Sequence, residues 1–485
     1  MKNGLKVLFA ASEVSPFAKV GGLADVAGSL PAALNRLGCD VRVFAPLYNC
    51  VGRKEEMEKV TGDFSVRVAG TRFEVSLKML KRDGVIHYFA DIPGLFDRDE
   101  IYGCADDVER WIAFCHAALV SLQHLGWKPE IAHCNDWQTA LLPALLKTTL
   151  ATDPFYGSIA SVFTIHNLAY QGVVHDKYVE AAGLPRTAFD MNTMEFYGGL
   201  NFMKTGITYA DAVNTVSPGY RREILTPRYG ERLNEHLAAN SHKLYGILNG
   251  IDEKEFDPSK DRRIEKRYAA NRLSGKEKNR QWLRERLGLE REPKGRVPLA
   301  GMVTRVTDQK GFDILGGAIK EMMGCGMQIV VLGEGDPKYE KMLRSAQEKW
   351  PGEMSFVNSF DPVLAQRIYA GSDMFLMPSK FEPCGLGQMI ALRYGTLPVA
   401  RAVGGLADTI VDYSSRPDHG TGFLFDDYSA AGLMSAVLRA VAVYQDRAEW
   451  RRIVGNAMHA DFSWDRSSGE YYDLYHKALE NSSRR

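Results

Sequence analysis

The sequence predicts an α/β protein with two domains, each built on a parallel sheet with ligand-binding loops at the strand ends. Its 485 residues are too many for a single hydrophobic core. Short apolar runs alternate with helical segments along both halves, as in β–α units. Polar, glycine-rich loops follow several of these runs, where parallel sheets bind their ligands.

Composition limits the classes of partner and compartment. Sixty Lys and Arg residues balance sixty Asp and Glu residues, so no overall field favours nucleic acid or an acidic membrane. The seven cysteines are scattered and form no C-x-x-C pair, which indicates reduced thiols rather than a zinc site. No apolar stretch reaches membrane-spanning length. We therefore expect a cytoplasmic protein that binds neither nucleic acid nor membrane.

The first β–α unit carries a candidate anion-binding loop. Residues 5–11 predict a strand, 28–37 a helix and 40–45 the next strand. The loop at 12–25 lacks G-x-G-x-x-G, but it places Lys19 before two glycines, an arrangement that would suit a diphosphate. A solvated lysine before a glycine turn is the alternative.

Residues 64–90 largely alternate apolar and polar side chains, which predicts hairpin strands. The sequence Asp97-Arg98-Asp99 matches a D-x-D pattern that many glycosyltransferases use to hold a divalent metal. It lies in a polar loop rather than after a buried strand, so we interpret it as surface. No other cluster has metal-ligand spacing, and catalysis without a bound metal is the expectation.

Polar side chains follow two further strands of the first domain. Asp136 comes just after a short strand, and His166 and Asn167 come just after the strand at 161–165. Because parallel strands end at one edge of a sheet, we expect Asp136, His166 and Lys19 to gather on one side. Each residue alone is modest evidence, since a single histidine is more often structural.

The domain boundary is predicted near residue 251. A strand at 244–248 leads into Asn249. Residues 252–296 are dense in both charges and predict an exposed helical connection.

The second domain begins with another candidate phosphate loop. The strand at 299–304 ends in Arg305, and Lys310 lies in the same β–α loop before the helix at 312–322. This arrangement suits a diphosphate. Surface ion pairs are the alternative. Strands at 328–332 and 374–377 and one from Thr396 continue the series.

The loop after the strand at 374–377 carries the most informative stretch. It contains Glu382, and Gly385 and Gly387 let the backbone approach a ligand. The helix predicted at 388–394 would place backbone N–H groups of this loop at a helix N-terminus, where anions bind. A carboxylate beside an anion site suits a ligand with hydroxyls and phosphates, such as a sugar nucleotide. The alternative is that these residues only build a loop.

The pentapeptide Gly-Gly-Leu-Ala-Asp occurs at 21–25 and at 404–408. We interpret the two copies as analogous β-turn-α arrangements that face a shared cleft.

The C-terminal tail predicts an amphipathic helix that packs back on the first domain. The expected domains are 1–251 and 252–462, with the C-terminal helix in 463–485.

Together the motifs closely resemble those of bacterial glycogen synthases and plant starch synthases. The matching segments are Lys19-Val20-Gly21-Gly22-Leu23-Ala24-Asp25, His166-Asn167-Leu168-Ala169-Tyr170-Gln171, Gln309-Lys310-Gly311 and Phe381-Glu382-Pro383-Cys384-Gly385-Leu386. The resemblance implies the GT-B fold, with two Rossmann-like domains facing a deep cleft. It also implies transfer of glucose from ADP-glucose to the non-reducing end of an α-1,4-glucan, with retention and without metal or cofactor.

The resemblance also implies roles for single residues. Among the catalytic candidates, Arg305 and Lys310 would neutralise the leaving diphosphate, and Glu382 would hold sugar hydroxyls or support the developing cation. His166 would touch the donor glucose, with Asp136 near the acceptor. The substrate-binding set would be Lys19 at the diphosphate, Asp25 shaping its loop, Gly385 and Leu386 cradling phosphate by their backbone, and also Gly22, Asn167, Asn249, Cys384 and Gly387.

Two positions depart from the family pattern. Wider relatives carry a second Glu eight residues after the first, where this chain has Ile390, so another group must contact the ribose. The frequent His-Asp-Trp is Asn135-Asp136-Trp137 here, which keeps the Asp and removes an imidazole.

The sequence leaves alternatives open for the reaction mechanism and for the class of protein. No second carboxylate typical of a retaining glycosidase is identifiable, so we hypothesise front-face displacement in which the departing phosphate takes the acceptor proton. UDP-glucose as donor, a non-catalytic glucan-binding homologue and a phosphorylase-type enzyme with pyridoxal phosphate are other readings. An NAD-dependent oxidoreductase fits the α/β pattern but lacks its glycine fingerprint.

Overall fold

The computed structural model describes residues 4–291 and 295–484. The chain divides into two compact units. Unit 1 comprises Met1–Gly250 and Trp464–Arg485, and unit 2 comprises Ile251–Ser463. Within the described ranges, no helix has both the length and the apolar character needed to cross a bilayer.

The strands of unit 1 form a large central sheet and a small antiparallel one. They are β1 (Lys6–Ala10), β2 (Asp40–Pro46), β3 (Glu58–Lys59), β4 (Phe64–Val68), β5 (Thr71–Arg82), β6 (Val85–Asp91), β7 (Ile131–Asn135), β8 (Ala160–Ile165), β9 (Val173–His175), β10 (Glu195–Phe196), β11 (Gly199–Asn201), β12 (Ala212–Thr215) and β13 (Leu244–Gly246). The central order is β13-β12-β8-β7-β1-β2-β6-β5-β3, with β4 paired to β5, while β10-β11-β9 form the small sheet.

The central sheet is parallel from β13 to β6 and turns antiparallel at β5. All six residues of β8 are buried, which is why this segment is an apolar, β-branched run rather than an alternating one. The antiparallel pairing of β4, β5 and β6 confirms the hairpin strands predicted from alternation at 64–90.

Helices of unit 1 cover the sheet. They are α1 (Gly22–Arg36), α2 (Asp107–His124), α3 (Leu141–Lys147), α4 (Tyr178–Ala181), α5 (Phe202–Tyr209), α6 (Pro218–Glu223) and α7 (Asn234–Ala239). In α2, Trp111, Phe114, Ala118 and Leu122 follow the three-to-four spacing of one helical face and are all buried.

Unit 2 is a Rossmann-like layered structure. Its strands are β14 (Leu299–Val303), β15 (Gln328–Leu332), β16 (Met354–Val357), β17 (Met374–Met377), β18 (Leu397–Arg401) and β19 (Phe423–Phe425). They pair in the order β16-β15-β14-β17-β18-β19, and each pair is parallel. The helices are α8 (Ser274–Arg286), α9 (Phe312–Gly324), α10 (Pro337–Lys349), α11 (Pro362–Gly371), α12 (Gly387–Arg393), α13 (Gly404–Thr409), α14 (Ala430–Gln445) and α15 (Arg447–His459).

The start of α1 corrects the sequence prediction. The helix begins at Gly22, six residues before the predicted start at 28, and Gly21 precedes it in an extended conformation. Leu23, Ala24, Val26 and Ala27 are buried, so the apolar face of the helix already begins inside the glycine motif. The second copy of Gly-Gly-Leu-Ala-Asp likewise opens a helix, α13. The motif is therefore a helix start in each unit.

The charged segment 252–296 is not the exposed connection that the sequence predicted. It belongs to unit 2, where α8 packs against α11 with Lys276, Asn279 and Leu283 buried. The Lys276 ammonium donates to the carbonyl of Tyr394 at 3.0 Å and to Thr396 Oγ1 at 2.7 Å. These partners replace water around the buried cation, which net-charge patterning cannot reveal.

The C-terminal helix α16 (Trp464–Ser483) packs on α1 and on strands β7, β8 and β12 of unit 1. A buried hydrogen-bond network ties it to the sheet. The Tyr475 hydroxyl lies 2.8 Å from His133 Nδ1, and His133 Nε2 lies 2.7 Å from Thr164 Oγ1. Asn214 Nδ2 donates to the Tyr471 hydroxyl at 3.2 Å. The network therefore holds α16 beside the strands that carry the candidate site.

Tyr475→Phe should lower the free energy of unfolding by about 1–3 kcal/mol, because it leaves the buried Nδ1 of His133 without its hydrogen-bond partner. Tyr472→Phe, on the half-buried side of the same helix, should change it by less than about 0.5 kcal/mol. Urea unfolding monitored by circular dichroism measures both, and equal shifts in the two variants would contradict the role of the network.

Candidate active site

Unit 1 gathers polar groups where β1, β7 and β8 end. These strands are neighbours in the parallel sheet, so the loops that follow them share one edge. Asp136 Oδ1 accepts hydrogen bonds from the backbone N–H of His166 at 2.7 Å and of Asn167 at 3.4 Å. The structure thus joins the two strand-end motifs directly.

Asp136 is held in an unusual state. Its φ of 55° lies in the left-handed region, which a residue other than glycine adopts only when its surroundings impose it. Loss of solvation raises the pKa of its carboxyl to about 7. The hydrogen bonds from the two backbone N–H groups lower this pKa, but by less than burial raises it. The carboxylate therefore positions the backbone of the 166–167 loop.

His166 is a neutral imidazole. Its Nε2 lies 2.9 Å from Asn135 Oδ1. Burial lowers the pKa of His166 to about 3, so the ring carries no charge at neutral pH. It can exchange hydrogen bonds with a sugar hydroxyl but supplies no electrostatic attraction.

Glu13 is a site residue that the sequence analysis missed. Its Oε2 accepts hydrogen bonds from the backbone N–H of Val20 at 2.5 Å and of Gly21 at 2.9 Å. Burial, which outweighs these bonds, raises the pKa of the Glu13 carboxyl. The signal available was an acidic residue two positions past the strand predicted at 5–11. Glu13 fixes the loop that presents Lys19.

Lys19 and Asp25 form an ion pair that the sequence did not predict. The Lys19 ammonium bonds Asp25 Oδ1 at 2.5 Å, and the lysine side chain is 41% exposed. Asp25 lies in the first turn of α1 rather than in a loop. A bound diphosphate would therefore share Lys19 with Asp25.

The other unit 1 candidates play smaller structural parts. Gly22 is the exposed first residue of α1. Asn167 Oδ1 accepts the backbone N–H of Ala169 at 3.1 Å and shapes a turn. Asn249 is buried, and its Oδ1 has no hydrogen-bond partner within the described residues. Gly22 and Asn249 make no hydrogen bond to the Asp136–His166 cluster in the described structure.

In unit 2, Lys310 and Glu382 form a buried ion pair. The Lys310 ammonium donates to Glu382 Oε1 at 2.9 Å and to Oε2 at 2.7 Å, and the Ser379 hydroxyl donates to Oε2 at 3.0 Å. The two charged side chains are 16% and 7% exposed. Because β14 and β17 are adjacent and parallel, the loops after them meet at this pair. The sequence identified both residues as site candidates but not their contact.

A small cavity of about 100 Å³ lies next to this pair. The end of β14, the charged pair and the loop after β17 line it. The polar and loop residues are Thr304, Lys310, Ser379, Glu382, Gly385, Leu386 and Gly387. Arg305, one residue beyond Thr304, is exposed, and its guanidinium has no ion pair or hydrogen bond among the residues that the structure describes. Lys310 and Arg305 therefore differ, one being paired and the other available.

The loop around Cys384 rests on the second Gly-Gly motif. The backbone N–H of Gly405 donates to the carbonyl of Glu382 at 3.1 Å. A Cβ at position 405 would lie 2.1 Å from the carbonyl oxygen of Cys384, so only glycine allows this approach. Gln388 Nε2 donates to the carbonyls of Cys384 at 2.9 Å and Gly385 at 2.8 Å. Gly385 itself has a φ of 72°. Buried Cys384 is thus a packing residue of this loop.

The D-x-D sequence is engaged in local structure. Arg98 pairs with Asp106 at 2.7 Å, and Asp97 accepts the backbone N–H of Gly94 at 2.8 Å. Within residues 4–291 and 295–484, no three His, Cys, Asp or Glu side chains are grouped so that they could hold a metal ion.

Solved structures share this architecture. The catalytic domain of Starch Synthase IV from Arabidopsis thaliana, bound to ADP and acarbose, is 34% identical with a TM-score of 0.93, covering 98% of this chain and 100% of that one. A sucrose-phosphate synthase from Thermosynechococcus elongatus is 18% identical with a TM-score of 0.62, covering 98% and 99%, and shows the fold alone. Two Rossmann-like units with polar strand-end sites define the class: a GT-B glycosyltransferase.

Sequence relatives narrow this class. Residues 6–239 match the starch synthase catalytic domain, and residues 289–454 match glycosyl transferases group 1. The glycogen synthase of Thermotoga maritima is 46% identical over 99% of this chain and 100% of its own. That of Desulforudis audaxviator is 46% identical over 99% and 97%. The chain therefore belongs to the glycogen and starch synthase family of retaining glycosyltransferases.

Gly405→Ala should lower activity at least about tenfold and stability by about 1–3 kcal/mol, because the added methyl displaces the backbone that carries Glu382. Gly455→Ala in α15 is the matched control, since a Cβ there meets open space and should stabilise the helix by up to about 1 kcal/mol. Initial rates and thermal melting measure the two variants, and a fully active Gly405→Ala protein would refute the packing argument.

Proposed function

We propose that this enzyme transfers glucose from ADP-glucose to the non-reducing end of an α-1,4-glucan, with neither a metal ion nor a cofactor. The buried pair of Lys310 and Glu382, with exposed Arg305 in the same β–α loop as Lys310, is the observation that carries the proposal. Such a site offers positive charge for phosphates and a carboxylate for sugar hydroxyls. The ADP in the Arabidopsis starch synthase structure supports adenine as the donor base.

Lys310 can serve the leaving group without abandoning Glu382. An ammonium group has three N–H donors, and the carboxylate takes two of them, which leaves one for a phosphate oxygen. Arg305 adds a planar guanidinium suited to a second phosphate contact. Both cations would stabilise the charge that develops on ADP as the anomeric bond breaks.

Glu382 is better suited to hold the sugar than to attack it. Its two oxygens already accept three hydrogen bonds, from Lys310 twice and from Ser379. These bonds stabilise the anion and so weaken it as a nucleophile. We therefore favour front-face displacement. The acceptor hydroxyl oxygen bonds to the anomeric carbon, the bond from that carbon to ADP breaks, and the departing phosphate takes the hydroxyl proton.

The unit 1 candidates keep the roles that the resemblance implied. In this proposal Lys19 contacts the diphosphate and neutral His166 contacts the donor glucose. Asp136 acts through the backbone N–H groups that it holds, which refines its expected role near the acceptor. Secondary contacts to substrate are assigned to Gly22, Asn167, Asn249, Gly385, Leu386 and Gly387, while Cys384 packs the loop that carries Gly385.

Lys310→Ala and Arg305→Ala should each lower kcat by about 10²–10³-fold, because each removes a charge that stabilises the transition state. Lys320→Ala, at an exposed lysine on α9, should leave kcat unchanged. The assay is incorporation of radiolabelled glucose into glycogen from ADP-glucose or UDP-glucose, with and without a chelator. Glycogen binding without turnover of either donor would favour the non-catalytic alternative, and loss of rate with chelator would contradict metal independence.

Incubation with a 2-deoxy-2-fluoro analogue of ADP-glucose tests the displacement mechanism. Intact-protein mass spectrometry should find no covalent sugar on the wild-type chain, because the three hydrogen bonds restrain Glu382. A fluoroglucosyl adduct mapped to Glu382 would establish double displacement instead.

A further inference from the structure

Asn135 is the last residue of β7, and its side chain bridges two strand ends. It is completely buried. Its Nδ2 donates to the carbonyl of Ala10 at 2.9 Å, and its Oδ1 lies 2.9 Å from His166 Nε2. The backbone N–H of Asn135 contacts Thr139 Oγ1 at 2.5 Å, and that hydroxyl lies 2.8 Å from the Asn135 carbonyl. Hydrogen bonds therefore hold both the nitrogen and the oxygen of the Asn135 side-chain amide.

These contacts fix the direction of the two hydrogen bonds that link Ala10, through the Asn135 side chain, to His166. The Ala10 carbonyl can only accept, so the amide nitrogen of Asn135 must face it. The amide oxygen then faces His166, and because this oxygen also can only accept, Nε2 must carry the proton. In a neutral imidazole the other nitrogen, Nδ1, then has a lone pair and accepts hydrogen bonds.

We propose that Asn135 is a positioning residue that locks His166 in its Nε2–H tautomer, so that Nδ1 presents an acceptor to a hydroxyl of the donor sugar. This inference rests on the proposed contact between His166 and the donor. A buried amide whose nitrogen is held by Ala10 offers only an acceptor to His166.

Other titratable groups around His166 affect the design of the test. Asp136 bonds the His166 backbone, and Glu13 acts on Asp136 through space. His133 lies on the same strand as Asn135, and burial lowers its pKa to about 3, so it is neutral in the same range. The Tyr220 hydroxyl accepts the N–H of Leu168. Because Asp136 itself titrates near neutral pH, a variant at position 135 must be compared with a control that retains Asp136.

Nuclear magnetic resonance of the full chain labelled with ¹⁵N-histidine tests the tautomer without any change at Asn135. The His166 signal is assigned by its loss in His166→Gln. Between about pH 6 and about pH 8 it should show protonated Nε2 and unprotonated Nδ1. A His166 signal with the proton on Nδ1, or an imidazolium in that range, would overturn the proposal.

Kinetics test the consequence for the donor. Asn135→Asp places a carboxylate against Nε2, which favours the imidazolium and turns Nδ1 into a donor. We expect kcat/KM for ADP-glucose to fall at least about tenfold near pH 6 and to recover partly near pH 8. The control is Asn214→Asp, a buried change on neighbouring β12 that touches Thr164 and Tyr471 but not His166. It should keep the wild-type shape of the pH profile.

The outcomes separate the inference from the proposed function. Superimposable pH profiles for Asn135→Asp and wild type would overturn the role of Asn135 in presenting Nδ1. Wild-type protein without activity on ADP-glucose would overturn the proposed function, while the resonance measurement would still decide the tautomer. Thermal melting of both variants checks that they are folded.

Discussion

The contact between Lys310 and Glu382 is the interaction on which the unit 2 site depends. It places opposite charges from two loops, 72 positions apart in sequence, within 2.7 Å in a largely buried setting. Removing either partner would leave the other charge buried and uncompensated, a change that is typically strongly destabilising. The pair exists because β14 and β17 are parallel neighbours, although β15 and β16 lie between them in sequence.

Unit 1 uses its buried acids differently. Glu13 and Asp136 both accept backbone N–H groups, from the loop of Lys19 and from the loop of His166 respectively. Burial raises the pKa of both carboxyls, which marks the energetic expense of keeping them away from water. Each acid fixes the backbone conformation of a loop, and the side chains of that loop stay available for a substrate. In unit 2, by contrast, the acid holds a cation directly.

The sequence was most informative where burial dictates composition. Strands β15 and β17 were predicted at their observed ends, because strands buried on both faces are uninterrupted apolar runs. The order of strand-end motifs likewise indicated the fold class and most candidate residues. Charge density misled the prediction for α8, since Lys276 is satisfied by carbonyls rather than by solvent. The Lys310–Glu382 contact was not predicted because a partner 72 positions away leaves no periodic signal. Glu13 was missed although it lies only two positions past the strand predicted at 5–11.

A crystal structure with an intact, non-transferable ADP-glucose analogue would show whether Lys310 contacts the donor diphosphate. The decisive quantity is the distance from Lys310 Nζ to the nearest phosphate oxygen. We expect a hydrogen bond of about 2.7–3.2 Å, with Lys310 still in contact with Glu382 and Glu382 within reach of a sugar hydroxyl. A diphosphate bound beyond about 5 Å from Lys310, with the ammonium contacting only Glu382, would contradict it.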